Sequence, residues 1–219
     1  MKLAEPRALA VSVTVCALLA IGGRVADAGA LVWIFKPLAT ILIVAAAWSR
    51  GSDRYARAVL VGLLFSLAGD VLLIPQGMFV FGLVAFLLAH VAYLFAFTRE
   101  VPLFARALPF ALVALVAAAV LAVLWTTLPA GLRLPVLAYV VLLGAMTAQS
   151  QARAAVLNRP DARLAAWGGA LFMCSDALLA IDRFHTPLPL APLLVLGTYY
   201  PAQVLIALSI APAPHARRL

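Results

Sequence analysis

Residues 58–75 read AVLVGLLFSLAGDVLLIP, an apolar run whose single charged residue is Asp70. A run of this length can cross a hydrocarbon core about 30 Å thick as a helix. The backbone finds no water inside that core, so its polar groups must pair within the helix. The stretch therefore predicts a transmembrane helix that carries a carboxylic acid within the membrane.

Similar apolar runs recur along the 219 residues, of which 66% are hydrophobic and 11% charged. This composition has too few polar residues to cover a soluble domain. Strand-like alternation is absent from the sequence, which argues against a transmembrane barrel. We predict an all-α fold, a polytopic membrane helix bundle that forms a single domain over residues 1–219. The eight predicted spans are 8–23, 30–48, 58–75, 78–98, 107–125, 134–150, 163–181 and 188–210.

Lysine and arginine are distributed unevenly between the two predicted sides of the membrane. Twelve of them belong to the N-terminus, the C-terminus and the connectors near 50–57, 99–106 and 151–163. The other side carries only Arg24, Arg133 and Arg183. Since basic residues concentrate on the cytoplasmic side, both termini are predicted to be cytoplasmic. We expect a multi-pass protein of the bacterial inner membrane.

An alternative remains for the first span. Lys2 and Arg7, the apolar run that follows and the small residues around 26–28 resemble a signal peptide with its cleavage site. Cleavage there would leave seven spans with the same sidedness of the loops.

Several functional classes lack their sequence signals. The net charge is +8, but the basic residues form no stripe with aromatic residues, so nucleic acid is not an expected partner. The chain has no His/Cys cluster with metal-ligand spacing, no Gly-rich phosphate loop, and neither a GxSxG nor an HExxH motif. No metal and no cofactor are expected.

Four ionisable residues fall inside predicted spans: Lys36, Asp70, His90 and Asp176. A charge near the bilayer centre costs about 2.5–3.5 kcal/mol, and such residues usually face the bundle interior and mark function. The span directions place Lys36 and both aspartates at a similar depth, in the outer half of the membrane. Structural alternatives are interhelical hydrogen bonding by the aspartates, a buried core histidine, and a lysine that extends to the interface.

Further polar and aromatic residues lie within the spans: Tyr139 at a comparable depth, and His90 and Tyr199 nearer the middle of the membrane. Helical spacing places His90 and Tyr93 on one stripe of the fourth span, and Tyr199 and Gln203 four residues apart on the eighth. Such tyrosines more often serve packing than catalysis. The candidate binding residues are Lys36, His90, Tyr93, Tyr139, Tyr199, Tyr200 and Gln203.

The residues alone leave three functions open. Two carboxyl groups at one depth are the minimum for combined acid and base catalysis. The same pair could relay protons in a small transporter or proton-coupled carrier. A helix bundle without catalytic activity is the third possibility.

Five ordered motifs give the chain a resemblance to the YhhN family of multi-span membrane proteins, whose animal members are lysoplasmalogenases. The resemblance covers most of the chain. The motifs are KPL at 36–38, FSLAGDVLL at 65–73, FGLVAFLLAHVAYLFAF at 81–97, GALFMCSDALLAIDRF at 169–184 and TYYPAQVLI at 198–206.

The resemblance implies hydrolysis of the vinyl ether of a lysoplasmalogen, which yields a fatty aldehyde and a glycerophospho-ethanolamine or -choline. It also implies that Asp70 and Asp176 are the catalytic residues, one as acid and one as base. The expected partners are a single-chain ether lysophospholipid and the membrane lipids. Where the family often has Asn-Arg-Phe, this chain has Asp182-Arg183-Phe184.

The implied chemistry suits two carboxyl groups. One acid protonates the β-carbon of the vinyl ether, and a carboxylate faces the resulting oxocarbenium ion and activates water, a division that glycosidases also use. Lys36 is expected to hold the substrate phosphate, and pairing with an aspartate is its alternative role.

Overall fold

A computed structural model of the chain describes residues 6–211. Within this range the chain forms eight α-helices and no strand, and each helix is long and apolar enough to cross a membrane. The helices are α1 (Pro6–Val25), α2 (Gly29–Trp48), α3 (Arg54–Leu72), α4 (Phe79–Phe97), α5 (Ala107–Leu124), α6 (Ala130–Leu157), α7 (Pro160–Phe184) and α8 (Ala191–Leu208). The predicted all-α membrane bundle with eight spans is confirmed.

Three helices, α3, α6 and α7, differ from their predicted spans by three residues or more at both ends. Helix α3 begins at Arg54 instead of residue 58, because the side chain of Asp53 caps it by accepting the Ala56 N–H at 2.7 Å. Helices α6 and α7 extend beyond 134–150 and 163–181 at both ends. The predicted connector at 151–163 shrinks to Asn158 and Arg159, and the side chains of Gln151 and Arg153 are paired within the bundle.

Seven of the helices form a closed ring. Around the ring, α1 packs on α2, α2 on α3, α3 on α4, α4 on α6, α6 on α7, α7 on α8, and α8 again on α1. Helix α5 lies outside the ring and contacts α6 and α7. Leu124 is its one buried residue among those that the structure describes, so the other helices leave most of its surface uncovered. The ring brings α3 and α7 to face a common interior.

Two glycines allow close packing of the helices that carry the predicted aspartates. A Cβ on Gly69 of α3 would lie 2.5 Å from the ring of Phe86 on α4. A Cβ on Gly168 of α7 would lie 2.9 Å from the backbone oxygen of Ala202 on α8. Small residues of this kind let membrane helices approach each other closely where hydrophobic association is weak.

The end of the bundle that was predicted to be cytoplasmic contains a buried arginine. Arg153 of α6 is 1% exposed, donates through Nε to Glu100 Oε2 at 3.0 Å, and pairs with Asp161 at 3.1 Å. Its guanidinium also lies over the ring of Tyr55, 4.6 Å from the centroid. A buried charge is tolerated when opposite charges pair with it, so this cluster explains why α6 continues beyond its apolar segment.

Replacement of Glu100 with glutamine should lower the free energy of unfolding by about 1–3 kcal/mol, because Arg153 and Arg159 both lose a charged acceptor. Partial burial alone would raise the pKa of Glu100, but hydrogen bonds from Arg153 and Arg159 outweigh it and lower the pKa. A lowered carboxyl pKa stabilises the fold at neutral pH, and this stabilisation is lost as the pH falls through the folded-state pKa.

The measurement is the thermal midpoint of the purified protein in detergent across a pH series. The difference in thermal midpoint between the native protein and the Glu100→Gln variant should be largest at pH 7 and should disappear below about pH 4. Asp27→Asn makes the same chemical change in the loop between α1 and α2, and serves as the control. An equal loss at every pH would contradict the ion-pair explanation.

Candidate active site

Two adjoining cavities border the helices that carry the aspartates. The first, called the polar cavity here, has a volume of about 430 Å³ and is bordered by helices α1, α2, α3, α4, α7 and α8. Its charged lining residues are Arg24, Lys36, Asp70, Asp176, Asp182 and Arg183. Both predicted catalytic aspartates therefore border one space, although 106 positions separate them in sequence.

The second space, called the apolar cavity here, lies between α4, α5, α6 and α7 and has a volume of about 70 Å³. Aliphatic and aromatic side chains such as Leu83, Val120 and Met173 line it, and Tyr139 and Asp176 are its polar residues. Asp176 borders both cavities. One carboxyl group therefore stands where a polar space and an apolar space meet.

Asp70 is 1% exposed, and two hydroxyl donors and a cation surround its carboxyl group. Its Oδ2 accepts hydrogen bonds from Thr40 Oγ1 at 2.6 Å and from the Tyr199 hydroxyl at 2.7 Å. The Lys36 Nζ lies 3.6 Å from Oδ1 and donates to the Asp70 backbone oxygen at 3.1 Å. That oxygen is in the last turn of α3, where carbonyls have no donor within the helix. Lys36 thus caps a carbonyl at the end of α3 and balances the charge of the Asp70 carboxylate.

Asp176 has a different environment. Its Oδ2 accepts a hydrogen bond from the Tyr139 hydroxyl at 2.6 Å, and His90 Nε2 lies 3.9 Å from the same oxygen. The Asp176 side chain is 13% exposed and His90 is fully buried. No lysine or arginine within residues 6–211 lies within 4 Å of the Asp176 carboxyl. A charge on Asp176 is therefore balanced less well than a charge on Asp70.

Aromatic rings separate the two carboxyl groups from the rest of the bundle. Phe172 packs edge-on against His90 at 4.8 Å between centroids and against Tyr199 at 5.6 Å. Phe86 lines both cavities and packs edge-on against Phe172 at 6.1 Å. Neither nitrogen of His90 has a hydrogen-bond partner among the described residues. These rings make one wall of the site rigid and apolar.

The remaining candidate residues lie behind the cavity lining. The Tyr93 hydroxyl donates to Gln203 Oε1 at 2.7 Å, and Gln203 Nε2 donates to the Tyr199 hydroxyl at 3.1 Å. This chain of hydrogen bonds ends at Asp70, because Tyr199 donates to it. The Tyr200 hydroxyl donates to the Lys36 backbone oxygen at 3.0 Å, next to Pro37 inside α2. These side chains orient Tyr199 and Lys36, which do line the polar cavity.

Sequence reasoning missed some members of the site. Thr40 was not singled out, although it lies four residues after Lys36 and so shares its helical face. The sequence analysis used Arg24 and Arg183 only as signals of sidedness, but both line the polar cavity. Asp182 lines it too, because α7 continues through Phe184. Within residues 6–211, no group of three His, Cys, Asp or Glu side chains is placed to hold a metal ion.

Known proteins similar to this chain include both animal and bacterial membrane proteins. The lysoplasmalogenase TMEM86B of Sus scrofa is 37% identical over 189 residues, which cover 85% of this chain and 76% of the relative. The lysoplasmalogenase TMEM86A of Homo sapiens is 37% identical over 159 residues, which cover 70% of this chain and 65% of the relative. The uncharacterized membrane protein YhhN of Escherichia coli O157:H7 is 32% identical over 98 residues, or 44% and 47% of the two chains.

No solved structure matches the chain. The sequence model of the YhhN family matches residues 31–210, a range that includes both aspartates, Lys36 and all the helices from α3 to α8. Because this match extends over far more than half of the sequence, the chain belongs to the YhhN family.

Proposed function

We propose that this protein is a membrane-embedded lysoplasmalogenase, which hydrolyses the vinyl ether of a lysoplasmalogen to a fatty aldehyde and a glycerophospho-base. The relatives named lysoplasmalogenase support the reaction. One observation carries the assignment of the site: Asp70 and Asp176 border one cavity, but only Asp70 is paired with a cation. Two carboxyl groups in such unlike surroundings suit the separate roles of acid and base.

The two cavities suggest how a single-chain lipid is placed. The carbons next to the vinyl ether occupy the apolar cavity, the rest of the hydrocarbon chain extends past α5 into the membrane, and the glycerophosphate head group occupies the polar cavity. The vinyl ether joins the chain to the glycerol, so it lies at the junction, beside Asp176. Helix α5 does not pack on α4 within the described chain, and the lipid enters from the membrane between these two helices.

Asp176 is the general acid in this proposal and Asp70 is the base. An uncompensated charge in apolar surroundings is costly, so Asp176 carries the proton, while Lys36 and the two hydroxyl donors hold Asp70 as a carboxylate. The Tyr139 hydroxyl donates to Asp176 Oδ2 and leaves Oδ1 to carry the acidic proton. His90 packs against Tyr139 at 5.0 Å and positions it.

The reaction then proceeds in two steps that restore both carboxyl groups. Asp176 transfers its proton to the β-carbon, and the α-carbon becomes an oxocarbenium ion. Water adds to that carbon while Asp70 takes one of its protons, which gives a hemiacetal. In the second step Asp70 returns this proton to the leaving glycerol oxygen, and Asp176 takes the hemiacetal hydroxyl proton. The C–O bond breaks, and the aldehyde and the glycerophospho-base are released.

The direct test is to mix the purified protein in detergent with a lysoplasmalogen and measure aldehyde, without any ion gradient. The matched control substrate is the 1-O-alkyl lysophospholipid, which has a saturated ether and cannot form the oxocarbenium ion by protonation. We expect aldehyde from the vinyl ether alone. Absence of aldehyde, or equal aldehyde from an Asp70→Asn/Asp176→Asn protein, would refute the proposal.

We further propose that residues 1–219 form one domain in the bacterial inner membrane, with both termini cytoplasmic. The excess of basic residues at one end supports this orientation. A reporter that is active only in the cytoplasm should then be active when it is fused after Leu219. A fusion active only in the periplasm would contradict the orientation, and a fusion in the loop between α2 and α3 provides a same-side control.

A further inference from the structure

Two arginines line the polar cavity without a carboxylate partner. Arg24 lies in the last turn of α1, and Arg183 lies in the last turn of α7. Both border the polar cavity and both are exposed. Within residues 6–211, neither has an ion pair within 4 Å, whereas Arg153 and Arg159 are both paired. The lysine of the same cavity, Lys36, is already engaged by Asp70.

We infer that Arg24 and Arg183 form the binding site for the phosphate of a lysophospholipid head group. This inference rests on the proposed function and adds a specificity site to it. Guanidinium groups present several donors in a plane and bind phosphate oxygens through charge-assisted hydrogen bonds. The assignment differs from the expectation that Lys36 holds the phosphate.

The packing of Arg183 supports a fixed position for its charge. Its guanidinium lies 4.0 Å from the ring centroid of Phe79, which itself lines both cavities. A cation over an aromatic face is held by the ring quadrupole and loses less freedom on binding a ligand. Phe79 therefore fixes Arg183 beside the polar cavity, where the head group of a bound lipid is proposed to lie.

The charges that line the polar cavity match one phosphate diester. Three cations face three carboxyl groups, and one of these, Asp176, is neutral in the proposed resting state. The net lining charge is then one positive unit, which attracts the phosphate monoanion of the head group. Asp182 uses Oδ1 to accept the Leu188 N–H at 2.9 Å. Its negative charge repels the phosphate but attracts the ammonium of an ethanolamine or choline head group, so the lining suits a zwitterionic lipid.

Binding of lipids that the enzyme cannot hydrolyse tests the site directly. The probes are a 1-O-alkyl lysophosphatidylcholine and the 1-O-alkylglycerol of the same chain length, which lacks the phosphate. Isothermal titration of the full-length protein in nanodiscs gives Kd for each probe. Arg24→Gln and Arg183→Gln should each raise Kd for the phosphate-bearing lipid about tenfold or more. Their Kd for the alkylglycerol should match that of the native protein.

Two further variants make the result specific. Arg133→Gln removes a cation from the same predicted side of the membrane, where Arg133 lies over Trp125 and away from the polar cavity. Its Kd for both lipids should equal that of the native protein. Arg183→Lys keeps the positive charge, so it should bind the phosphate-bearing lipid more tightly than Arg183→Gln does. It also takes the place of Arg183→Gln in the test if the glutamine variant does not fold.

Unchanged Kd for the phosphate-bearing lipid in the two glutamine variants would overturn the inference, and so would an equal loss for both lipids. Both results are measured without catalysis, so they test the phosphate site separately from the proposed function. If the native protein binds both lipids as expected but releases no aldehyde, only the proposed function is refuted. If it hydrolyses lysoplasmalogen but the two glutamine variants bind the phosphate-bearing lipid normally, only the phosphate site is refuted.

Discussion

Replacement of Asp176 with asparagine is expected to lower kcat for lysoplasmalogen roughly 10²- to 10⁴-fold, the loss typical for removal of a general acid. Asparagine has the shape of the native side chain, and its amide oxygen still accepts the Tyr139 hydroxyl. It has no proton to give to the β-carbon, so the oxocarbenium ion does not form. Binding of the unreactive alkyl lysophospholipid should stay near the native Kd, because the interactions with chain and head group remain.

The measurement is aldehyde release under saturating substrate, together with the thermal midpoint in detergent. Asp27→Asn is the matched control, because Asp27 has a left-handed backbone with φ 51° in a loop, and asparagine tolerates that conformation. It should leave kcat unchanged. If Asp176→Asn keeps near-native kcat, the assignment of the acid fails. If it loses its fold instead, Asp176 is a structural hydrogen-bonding residue.

Replacement of Asp70 with asparagine is expected to abolish turnover and also to destabilise the protein by about 3 kcal/mol. The amide still accepts from Thr40 and Tyr199, but Lys36, whose side chain is 12% exposed, loses its counter-ion. Removal of one partner of a buried ion pair leaves an uncompensated charge and typically costs about 3–5 kcal/mol. The same change removes the carboxylate that is proposed to activate water.

A double variant separates these two effects. Asp70→Asn/Lys36→Met removes both charges, so it should regain most of the stability while its kcat stays as low as that of Asp70→Asn. Recovery of both properties would show that Asp70 serves only the ion pair. No recovery of stability would show that Lys36 is not the partner that Asp70 needs.

Lys36→Met alone tests the role that the sequence suggested for this lysine. Because its Nζ is held by Asp70, we expect kcat to fall and KM to change little. A raised KM with native kcat would instead identify uniform binding, as expected if Lys36 held the phosphate.

Much of the fold followed from local properties of the sequence. Apolar length and composition predicted eight membrane helices in the right order. Unpaired backbone polar groups are costly in hydrocarbon, and each apolar segment avoids this cost by forming a helix, whatever its neighbours are. The boundaries of α6 and α7 did not follow, because Arg153 was placed in a connector by its charge. Its partners Glu100 and Asp161 belong to other segments, and only their meeting makes a buried guanidinium acceptable.

The candidate catalytic residues were also visible in the sequence, since a carboxylate within an apolar run is rare. The contacts of the two aspartates were not visible in the sequence. Asp70 meets Tyr199 from 129 positions away, and Asp176 meets Tyr139 from a different helix. Periodicity assigns a face to each residue of a helix, but it does not say which helix that face meets.

The sequence by itself therefore determined the class of the fold, the number of spans and the residues able to carry acid–base chemistry. Only the tertiary structure decided that Lys36 pairs with Asp70, that Asp176 stands between a polar and an apolar cavity, and that Arg24 and Arg183 border the polar one. The physical reason is that hydrophobicity acts on single segments, whereas the balance of buried charges and the shape of a cavity arise only when distant helices pack together.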